Sequence, residues 1–352
     1  MTIPVPALVV DVYALEHNIR TIGETLPGSR LRPHIKAFKS TALAQRLADA
    51  GHRAFTCATV REVEGMAAAG LGDDLLLANE VLDRGQLRRL AEVDACVTIA
   101  VDSDEAVDRA AAAGLRNVLI DVNVGLPRCG IAPGDAGRLA DRVRSAGLEV
   151  RGVMGYEGHL MMVEERSKRV HLVEKAMALL LDAAAQVGGD IISAGGTGTY
   201  DTNTWASEIQ AGTFLLGDSQ YQRLDLPFRQ AIFLECSILS KGDGYVVANA
   251  GLKALGMDHG DPLWPEGQVM FCSDEHITLV PRPEEPVDLD QRIRLVPAHL
   301  VERVNDVGLE PQQAKLEHLK EAHGARADDD AVGKALGQPP TALANAAEGI
   351  ED

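Results

Sequence analysis

The sequence of 352 residues lacks the closely spaced cysteines of a disulfide framework. Its five cysteines lie far apart, and no two of them form a CxxC pair. This usage is typical of a protein from a reducing compartment. No basic and apolar leader opens the sequence. The sequence therefore predicts a cytoplasmic protein. The cysteines are Cys57, Cys96, Cys129, Cys236 and Cys272.

Basic residues and long hydrophobic runs are also scarce. The chain has 34 Lys and Arg against 52 Asp and Glu, which gives a formal net charge of −18. A charge of this sign repels the phosphates of nucleic acids and of anionic membrane surfaces. No apolar run approaches the roughly 20 residues that a membrane-spanning helix needs. We therefore expect neither nucleic acid nor a membrane as a partner.

A regular alternation of short apolar runs and Ala/Leu-rich segments extends from residue 31 to residue 218. The Ala/Leu-rich segments have Ser, Thr or Asp near their starts and Gly after their ends, which are the expected helix caps. Apolar strands alternating with capped helices indicate a parallel sheet covered by helices. Eight strands close a (β/α)₈ barrel of the TIM type, so this is the predicted fold. The eight runs are residues 31–38, 53–58, 74–79, 96–101, 117–124, 148–157, 190–195 and 213–218.

The pattern changes after residue 228. Strand-like runs now follow one another with turn residues between them, which indicates a smaller antiparallel β domain. We expect the barrel to span residues 12–228 and the β domain to include residues 229–305. The opening residues 1–11 read as an extra strand of either domain. The polar, Ala-rich residues 306–352 are expected to form a helical or mobile tail.

Chemically active side chains collect at the predicted carboxyl ends of the barrel strands, where barrel enzymes carry their active sites. These positions hold Lys36, Arg128, His159 and the run "GGTGTY", residues 195–200, which we call the glycine-rich loop. Lys39 also lies there and is predicted to be exposed or to face a phosphate. Cations, a histidine and a glycine-rich loop together indicate a functional site.

Lys36 is the candidate nucleophile. On a strand, Arg32, His34 and Lys36 share one face, while Ile35 and Ala37 share the other. The apolar pair suits the helix-packed outside of a barrel, so Lys36 is predicted to point inward. A buried lysine among other cations loses part of its preference for the charged form, and a neutral amine can form a Schiff base. The alternative is a structural lysine paired with a carboxylate.

The glycine-rich loop is the candidate anion site. Its three glycines let successive backbone N–H groups converge on an anion, and Thr197 and Thr199 can add hydroxyl donors. The loop contains neither the GK[ST] of a nucleotide-binding P-loop nor the GxGxxG of a dinucleotide site. A small phosphate is therefore predicted, with a plain glycine turn as the alternative.

A lysine and a phosphate cradle in one barrel suggest pyridoxal phosphate, whose aldehyde needs an amine and whose phosphate needs donors. Eight motifs occur in order: "PALVVDVYALEHNI", "RPHIKAFKS", "GHRAFTCATVREVEGMAAAG", "GLPRCGI", "GYEGHL", "GGTGTYDT", "EIQAGTFLLGD" and "CSDEH". Together they resemble the D-threonine aldolase and D-serine dehydratase family, which has the alanine-racemase type of fold. The resemblance covers roughly residues 5 to 299. "GGTGTYD" is more similar to the aldolase branch.

The resemblance implies a role for each matching residue. Lys36 matches the Schiff-base lysine, Arg128 an arginine near the phenolic oxygen of the cofactor, and His159 a base for the substrate hydroxyl. Gln210 matches a residue near the pyridine nitrogen. The residues implied to bind the cofactor are Lys36, Arg128, Gly195, Gly196, Thr197, Gly198, Thr199, Tyr200, Gln210, Gly212, Thr213 and Tyr221.

The implied activity is a pyridoxal-phosphate-dependent retro-aldol cleavage of β-hydroxy-D-amino acids of the D-threonine type to glycine and an aldehyde. A dehydratase of the D-serine or 3-hydroxyaspartate type and an amino-acid racemase remain alternatives. A non-catalytic pyridoxal-phosphate-binding protein is the alternative from another class. The resemblance further implies a homodimer whose residues 1–11 join residues 229–305 in the β domain.

Two positions depart from the family pattern. Phe38 stands where the family has a second histidine near the lysine. The family's metal ligands are a histidine and, two residues later, Asp or Cys, but His299 is followed at that spacing by Val301. Valine cannot coordinate a cation. A divalent cation (Mn, Mg or Zn) is therefore expected to bind weakly, or to take another oxygen ligand such as Asp306.

Overall fold

The architecture is a parallel barrel followed by an antiparallel sheet. The computed structural model describes residues 3–256 and 259–298. The metal-ligand prediction at His299, the departure at Val301, the substitute ligand Asp306 and the predicted tail 306–352 lie outside the described residues. The barrel and the antiparallel sheet belong to the same compact unit of the chain.

Helices and strands alternate along the first two thirds of the chain. In the described residues, the first strand is β1 (Ala7–Val10), and the parallel strands are β2 (Ala54–Cys57), β3 (Asp74–Leu77), β4 (Val97–Val101), β5 (Asn117–Asp121), β6 (Glu149–Gly155), β7 (Ile191–Ala194) and β8 (Glu208–Ile209). The helices are α1 (Val12–Thr25), α2 (Thr41–Asp49), α3 (Val60–Ala68), α4 (Arg84–Glu92), α5 (Asp104–Ala113), α6 (Ala136–Ser145) and α7 (Arg166–Val187). Each parallel strand pairs with the next one along the chain, from β2 to β8.

The expected capping residues begin most of these helices. Asp11 accepts hydrogen bonds from the backbone N–H groups of Tyr13 and Ala14 at the start of α1. At the end of α5, Gly114 adopts φ +86°, a left-handed conformation that favours glycine. These local signals explain why the helices begin and end where the sequence predicts. The other side chains that cap helix starts are Ser40, Thr59, Asp83 and Ser103.

The gap between β8 and β2 is closed by residues 31–34 rather than by a full strand. Leu31 forms a parallel bridge with Ile209, and His34 forms one with Thr56. The chain then turns, because the N–H groups of Phe38 and Lys39 both donate to the carbonyl of Ile35. The predicted first strand, residues 31–38, therefore ends at His34. Lys36 lies in the 3₁₀ turn Ile35–Ala37 that follows.

The prediction of the eighth strand at residues 213–218 is wrong. The eighth strand position is filled by β8, and Thr213–Leu215 form a 3₁₀ turn. The N–H of Phe214 donates to Thr197 Oγ1, and the N–H of Leu215 donates to the carbonyl of Gly212. These donors are therefore used within loops instead of in a strand ladder.

Side chains alternate between the inside and the outside of the barrel. Leu75 and Leu77 of β3 join the large core under the helices, whereas Leu76 belongs to a separate small cluster. This alternation is the period of two expected for strands, so the small cluster forms the apolar middle of the barrel. Its fully buried members are Leu76, Ala100, Leu119 and Met154.

Below this apolar layer, at the amino ends of the strands, charged side chains form an ion network of Arg32, Asp74, Arg151 and Glu208. Arg32 is only 2% exposed, and its Nε lies 2.7 Å from Glu208 Oε1. Its Nη2 lies 3.0 Å from Asp74 Oδ2, and Arg151 Nη1 lies 2.8 Å from Asp74 Oδ1. Arg32 therefore ties the closing segment to β3 and β8.

The antiparallel sheet follows the barrel, and β1 completes it. Its further strands are β9 (Ile232–Gly242), β10 (Tyr245–Ala248), β11 (Gly267–Cys272), β12 (Ile277–Pro281) and β13 (Arg292–Leu295). The strand order is β1-β9-β10-β12-β11, and β13 also pairs with β9. The register places Ala7 opposite Glu235. The predicted fold class, a barrel followed by an antiparallel β region, is confirmed. No helix in the described parts of the chain is long and apolar enough to cross a membrane.

Candidate active site

Lys36 and Arg128 meet over one aromatic ring at the carboxyl end of the barrel. The Nζ of Lys36 lies 5.6 Å from the centroid of the Tyr156 ring. The Cζ of Arg128, from the loop after β5, lies 5.6 Å from the same centroid. Both distances fall within the range of cation–π contacts. Tyr156 follows β6 directly, so three separate chain segments converge here.

The environment of Lys36 favours its neutral amine. Burial lowers the pKa of Lys36 and the nearby charge of Arg128 lowers it further, while Glu62 opposes the shift. Within residues 3–256 and 259–298, no carboxylate lies within ion-pair distance of the Lys36 amine. The arrangement is therefore that of an amine with a lowered pKa and not of a paired structural lysine. By contrast, Lys39 is exposed and adopts φ +44°.

His34 is a buried imidazole beside this amine. Its Nδ1 has no hydrogen-bond partner in the described part of the chain. Burial lowers the pKa of His34 well below its ordinary value, and the charge of Lys36 adds to this effect. His34 is therefore neutral and adds no positive charge next to Lys36.

Close packing explains two glycines of the glycine-rich loop. A Cβ on Gly198 would lie 2.1 Å from the carbonyl oxygen of Met161, and a Cβ on Gly196 would lie 2.8 Å from the Met161 sulfur. Gly195 adopts φ +77°, where side chains are disfavoured. The loop is therefore shaped by its contact with the segment after β6.

The glycine-rich loop retains unused donors. In the described structure, the backbone N–H groups of Thr197 and Gly198 donate to no protein acceptor. Thr197 Oγ1 accepts a hydrogen bond from the N–H of Phe214, at 3.0 Å, so its own hydroxyl hydrogen remains available. Backbone N–H groups and a hydroxyl are the donors that a phosphate group requires.

Thr199 has a different environment from the one predicted. Its hydroxyl donates to Glu157 Oε1 at 3.0 Å and accepts from the N–H of Gly196 at 3.3 Å. Thr199 is fully buried. The predicted hydroxyl donor toward a phosphate is thus already engaged inside the protein.

Tyr200 packs away from the loop's donors. Its ring centroid lies 4.9 Å from that of Phe228, and Phe228 also contacts Phe214 at 5.6 Å. Burial and the neighbouring Asp201 raise the pKa of Tyr200 to about 12. Tyr200 therefore anchors the end of the loop in an aromatic cluster.

The segment after β8 passes close to Lys36. A Cβ on Gly212 would lie 2.5 Å from the carbonyl oxygen of His34, so glycine permits this approach. Gln210 Nε2 donates to Ser193 Oγ at 2.9 Å, which fixes its amide at the end of β8. Thr213 of this segment lies beside the Tyr221 phenol and lowers its pKa, against the larger effect of burial.

Tyr221 also belongs to the electrostatic surroundings of Tyr156. Burial raises the pKa of the Tyr221 phenol, and the Tyr156 phenol adds to the shift. Burial raises the pKa of Tyr156 to about 12. Both phenols therefore stay protonated near neutral pH and can donate hydrogen bonds.

His159 lies at the rim of the site. It belongs to the 3₁₀ turn Gly158–Leu160, which begins three residues after β6 ends, and its side chain is exposed. Its ring lies 3.2 Å from the position that a Cβ on Gly125 would occupy. This position suits a group that contacts a substrate entering from solvent.

Acidic groups from neighbouring strand ends line another part of the barrel's carboxyl end. One ligand atom each from Glu80, Asp102 and Cys129 lies within 4.8 Å of the others, which is a spacing that could hold a metal ion. Burial raises the pKa of Asp121 to about 9, and Glu80 contributes to the shift. The side-chain hydrogen bond to Glu80 raises the pKa of Cys129 to about 11.

Sequence reasoning missed Tyr156, Glu157 and the grouping of Asp102 with Glu80 and Cys129. Tyr156 and Glu157 lie within "GYEGHL", the motif that was noted for His159. The strand-end position of Tyr156 was a usable signal, whereas Glu157 offered none, because its partners lie in and after the glycine-rich loop. The acidic group comes from separate strands, so only the closed barrel brings it together.

Comparison with known proteins gives the family. The model of the alanine racemase N-terminal domain family matches residues 10–220. A 3-hydroxy-D-aspartate aldolase of Paracoccus denitrificans (strain Pd 1222) is 29% identical over 332 residues, which cover 84% of this chain and 85% of the relative. A D-threonine aldolase of Arthrobacter sp. is 30% identical over 325 residues, with the same coverage of 84% and 85%.

Solved structures agree with the sequence relatives. The D-threonine aldolase from Filomicrobium marinum superposes with a TM-score of 0.80 at 30% identity, over 85% of this chain and 88% of that chain. The D-threo-3-hydroxyaspartate dehydratase from Delftia sp. HT23 shares the fold, with a TM-score of 0.76 at 22% identity over 85% and 92%. The resemblance inferred from the motifs is confirmed. The chain belongs to the alanine racemase N-terminal domain family and is related to its D-threonine and 3-hydroxy-D-aspartate aldolases.

Proposed function

We propose that this protein is a pyridoxal-phosphate-dependent lyase that cleaves β-hydroxy-D-amino acids of the D-threonine type to glycine and an aldehyde. The observation that carries the proposal is the amine of Lys36. It lies at the carboxyl end of the barrel, its pKa is lowered by burial and by Arg128, and a loop with unused N–H donors follows strand β7. Aldolases among the relatives support the same reaction class.

The residues fit the cofactor that the family implies. Lys36 would hold its aldehyde carbon, and the unused N–H groups of Thr197 and Gly198 would hold its phosphate with the hydroxyl of Thr197. Arg128 would lie beside its phenolic oxygen. When bound, pyridoxal phosphate supplies an aldehyde that links to an amine and a ring that accepts the electron pair of a broken bond.

The chain's own residues then orient the substrate and move protons. In this proposal, the imidazole of His159, which is exposed, accepts the proton of the substrate's β-hydroxyl. The amine of Lys36, which would hold the aldehyde carbon of the cofactor, would also carry a proton to Cα of the product. The phenols of Tyr156 and Tyr221, which stay protonated, can donate hydrogen bonds to the bound molecules.

Product analysis tests the reaction class. The holoenzyme should release glycine and acetaldehyde from D-threonine, or glycine and glyoxylate from 3-hydroxy-D-aspartate. A dehydratase would instead yield an oxo acid and ammonia, and a racemase would yield the diastereomer inverted at Cα. A protein that binds pyridoxal phosphate but turns over neither substrate would contradict the proposal and favour the non-catalytic alternative.

We further propose a loosely bound divalent cation that depends on His299. The support is the sequence alone, since a histidine stands at the family's ligand position and Val301 replaces the second ligand. Activity should be low as purified and should rise with millimolar Mn²⁺ or Mg²⁺. Val301→Asp should tighten metal binding, as measured by elemental analysis. One tightly held ion per unmodified chain would contradict this proposal.

A homodimer is also proposed, from the resemblance. Large apolar side chains on the antiparallel sheet are consistent with a buried surface there, since Leu239, Met270 and Phe271 are each 53% exposed. Light scattering during gel filtration measures the molar mass. A monomer at micromolar concentration would contradict the proposal.

A further inference from the structure

A buried carboxylate supports the glycine-rich loop from the end of β6. Glu157 lies two residues beyond this strand and is fully buried. The N–H of Gly195 donates to its Oε2 at 3.0 Å, and the Thr199 hydroxyl donates to its Oε1 at 3.0 Å. Asn203 Nδ2 donates to the same Oε1 at 3.0 Å. Glu157 thus contacts the loop at two points and the segment after it at a third.

The directions of these hydrogen bonds select an ionised carboxylate. The Asn203 amide is oriented because its Oδ1 accepts from the N–H of Ala206, which leaves Nδ2 to donate to Glu157. The Thr199 hydroxyl accepts from Gly196, so its hydrogen is free to donate to Glu157. Burial raises the pKa of Glu157, but its own N–H and the three donors above oppose this shift. Every partner donates, which is the pattern that a carboxylate satisfies and a neutral amide does not.

The position of Glu157 links the loop to the reactive amine. Its neighbour Tyr156 faces Lys36 and Arg128, while Glu157 faces the glycine-rich loop. Gly158 completes this segment, since a Cβ there would lie 2.4 Å from the Tyr156 ring. Consecutive residues after β6 therefore have two roles: Tyr156 contacts the two cations, and Glu157 holds the glycine-rich loop.

We propose that Glu157 is the positioning residue of the glycine-rich loop. Its carboxylate binds Gly195 and Thr199, which leaves the N–H groups of Thr197 and Gly198 pointing away from protein acceptors and available to a phosphate. Glu157 itself does not contact the phosphate. The inference rests on the proposed cofactor and adds a residue that acts through the loop.

The first test is Glu157→Gln in the holoenzyme. The new amide group places N–H hydrogens against Gly195, or against Thr199 and Asn203, so one side of the network loses its acceptor. The dissociation constant for pyridoxal phosphate should rise about 10- to 100-fold, because an unsatisfied buried donor carries a cost of this size. Spectroscopic titration of the apoprotein measures the constant, and circular dichroism checks the fold.

A double-mutant cycle separates positioning from general loosening. Thr199→Val removes the same hydrogen bond from the other side, so its effect on the cofactor's dissociation constant should not add to that of Glu157→Gln. Thr197→Val is the matched control, since Thr197 bonds Phe214 and not Glu157. Its effect should be closer to additive with that of Glu157→Gln than the effect of Thr199→Val is.

A second pair of variants keeps the inference testable if Glu157→Gln does not fold. Thr199→Ser keeps the hydroxyl donor and should retain cofactor affinity, whereas Thr199→Val should lose it. Equal affinities for these two variants, or a Glu157→Gln constant within twofold of wild type, would overturn the inference. If the unmodified apoprotein binds no pyridoxal phosphate, the proposed function fails instead, and the two failures are thereby distinguished.

Discussion

The two ends of the barrel use charged side chains in opposite ways. At the amino ends of the strands, Arg32 is enclosed between Asp74 and Glu208, so its charge is matched. At the carboxyl ends, Lys36 lies beside Arg128, and burial together with this like charge lowers the pKa of the lysine. A charged residue inside the barrel therefore does not mark a functional site by itself. What distinguishes Lys36 from Arg32 is that no carboxylate pairs with its charge in the described structure.

One short segment contributes to both ends. Arg32 and Lys36 are four residues apart, yet the first joins the ion network and the second reaches the reactive end. The chain keeps strand-like pairing only to His34 and then turns at Ile35. The turn lets the segment stop pairing and present an amine above the apolar middle of the barrel.

The largest expected effect comes from disrupting the ion network at the amino ends of the barrel strands. Asp74→Asn leaves the buried guanidinium of Arg32 with one carboxylate and leaves Arg151 without its ion pair. Breaking a buried ion pair should lower the free energy of unfolding by about 3–5 kcal/mol. Urea denaturation measures the change.

Asp73→Asn is the matched control for that variant. Its partner is Arg53, at 3.4 Å, and the two side chains are 62% and 74% exposed. An exposed pair of this kind contributes about 0–1 kcal/mol. Similar losses of unfolding free energy from Asp74→Asn and Asp73→Asn would contradict the distinction between the buried ion network and an exposed ion pair.

The pH dependence of stability tests the contribution of the ionised Asp74 more directly. Burial opposes ionisation of Asp74, but hydrogen bonds from Arg151 and Arg32 lower its pKa from 3.8 to about 2. A lowered pKa stabilises the fold above the unfolded value near 3.8, and this contribution is lost as the pH falls toward 2. The stability difference between wild type and Asp74→Asn should shrink by about 2 kcal/mol between pH 5 and pH 2. A constant difference over this range would contradict the assignment.

The sequence was sufficient for the barrel because its signals are local. Capping side chains and apolar runs lie within a few residues of each helix and strand that they define. The eighth strand was misplaced because the residues 213–218 look apolar enough for a strand. Their N–H groups are taken by Thr197 and Gly212, and no local pattern reveals this.

The site was predicted unevenly for the same reason. Lys36 and Arg128 could be predicted as site residues because they lie at strand ends and within motifs. Glu157 was not, because its partners lie 38, 42 and 46 residues further along the chain. A buried glutamate within "GYEGHL" looks like any surface glutamate until the glycine-rich loop folds over it.

At the carboxyl ends of the strands, removing the positive charge of Arg128 should change the reactivity of Lys36. Arg128→Gln removes a neighbouring cation that lowers the pKa of Lys36, so this pKa should rise and less neutral amine should be present at a given pH. The apoprotein's reaction with a neutral aromatic aldehyde and cyanoborohydride should then shift to higher pH. Arg128→Lys keeps the charge and should keep the wild-type profile.

Peptide mapping of the trapped product checks which lysine reacts. The label should lie on Lys36, and the exposed Lys39 is the internal control. Preferential labelling of Lys39, or the same pH profile for Arg128→Gln and wild type, would contradict the assignment of the reactive amine.

The smallest expected effect concerns the Tyr156 ring, which both cations contact at 5.6 Å. An aromatic face attracts a cation by about 0.5–1 kcal/mol, so it favours the charged form of Lys36. Tyr156→Leu should therefore lower the pKa of Lys36 and shift aldehyde trapping to lower pH, opposite to Arg128→Gln. Tyr156→Phe keeps the ring and should match wild type. If Tyr156→Leu and Arg128→Gln shift the profile in the same direction, the ring acts only by filling space, and its contact with the two cations contributes nothing to the reactivity of the amine.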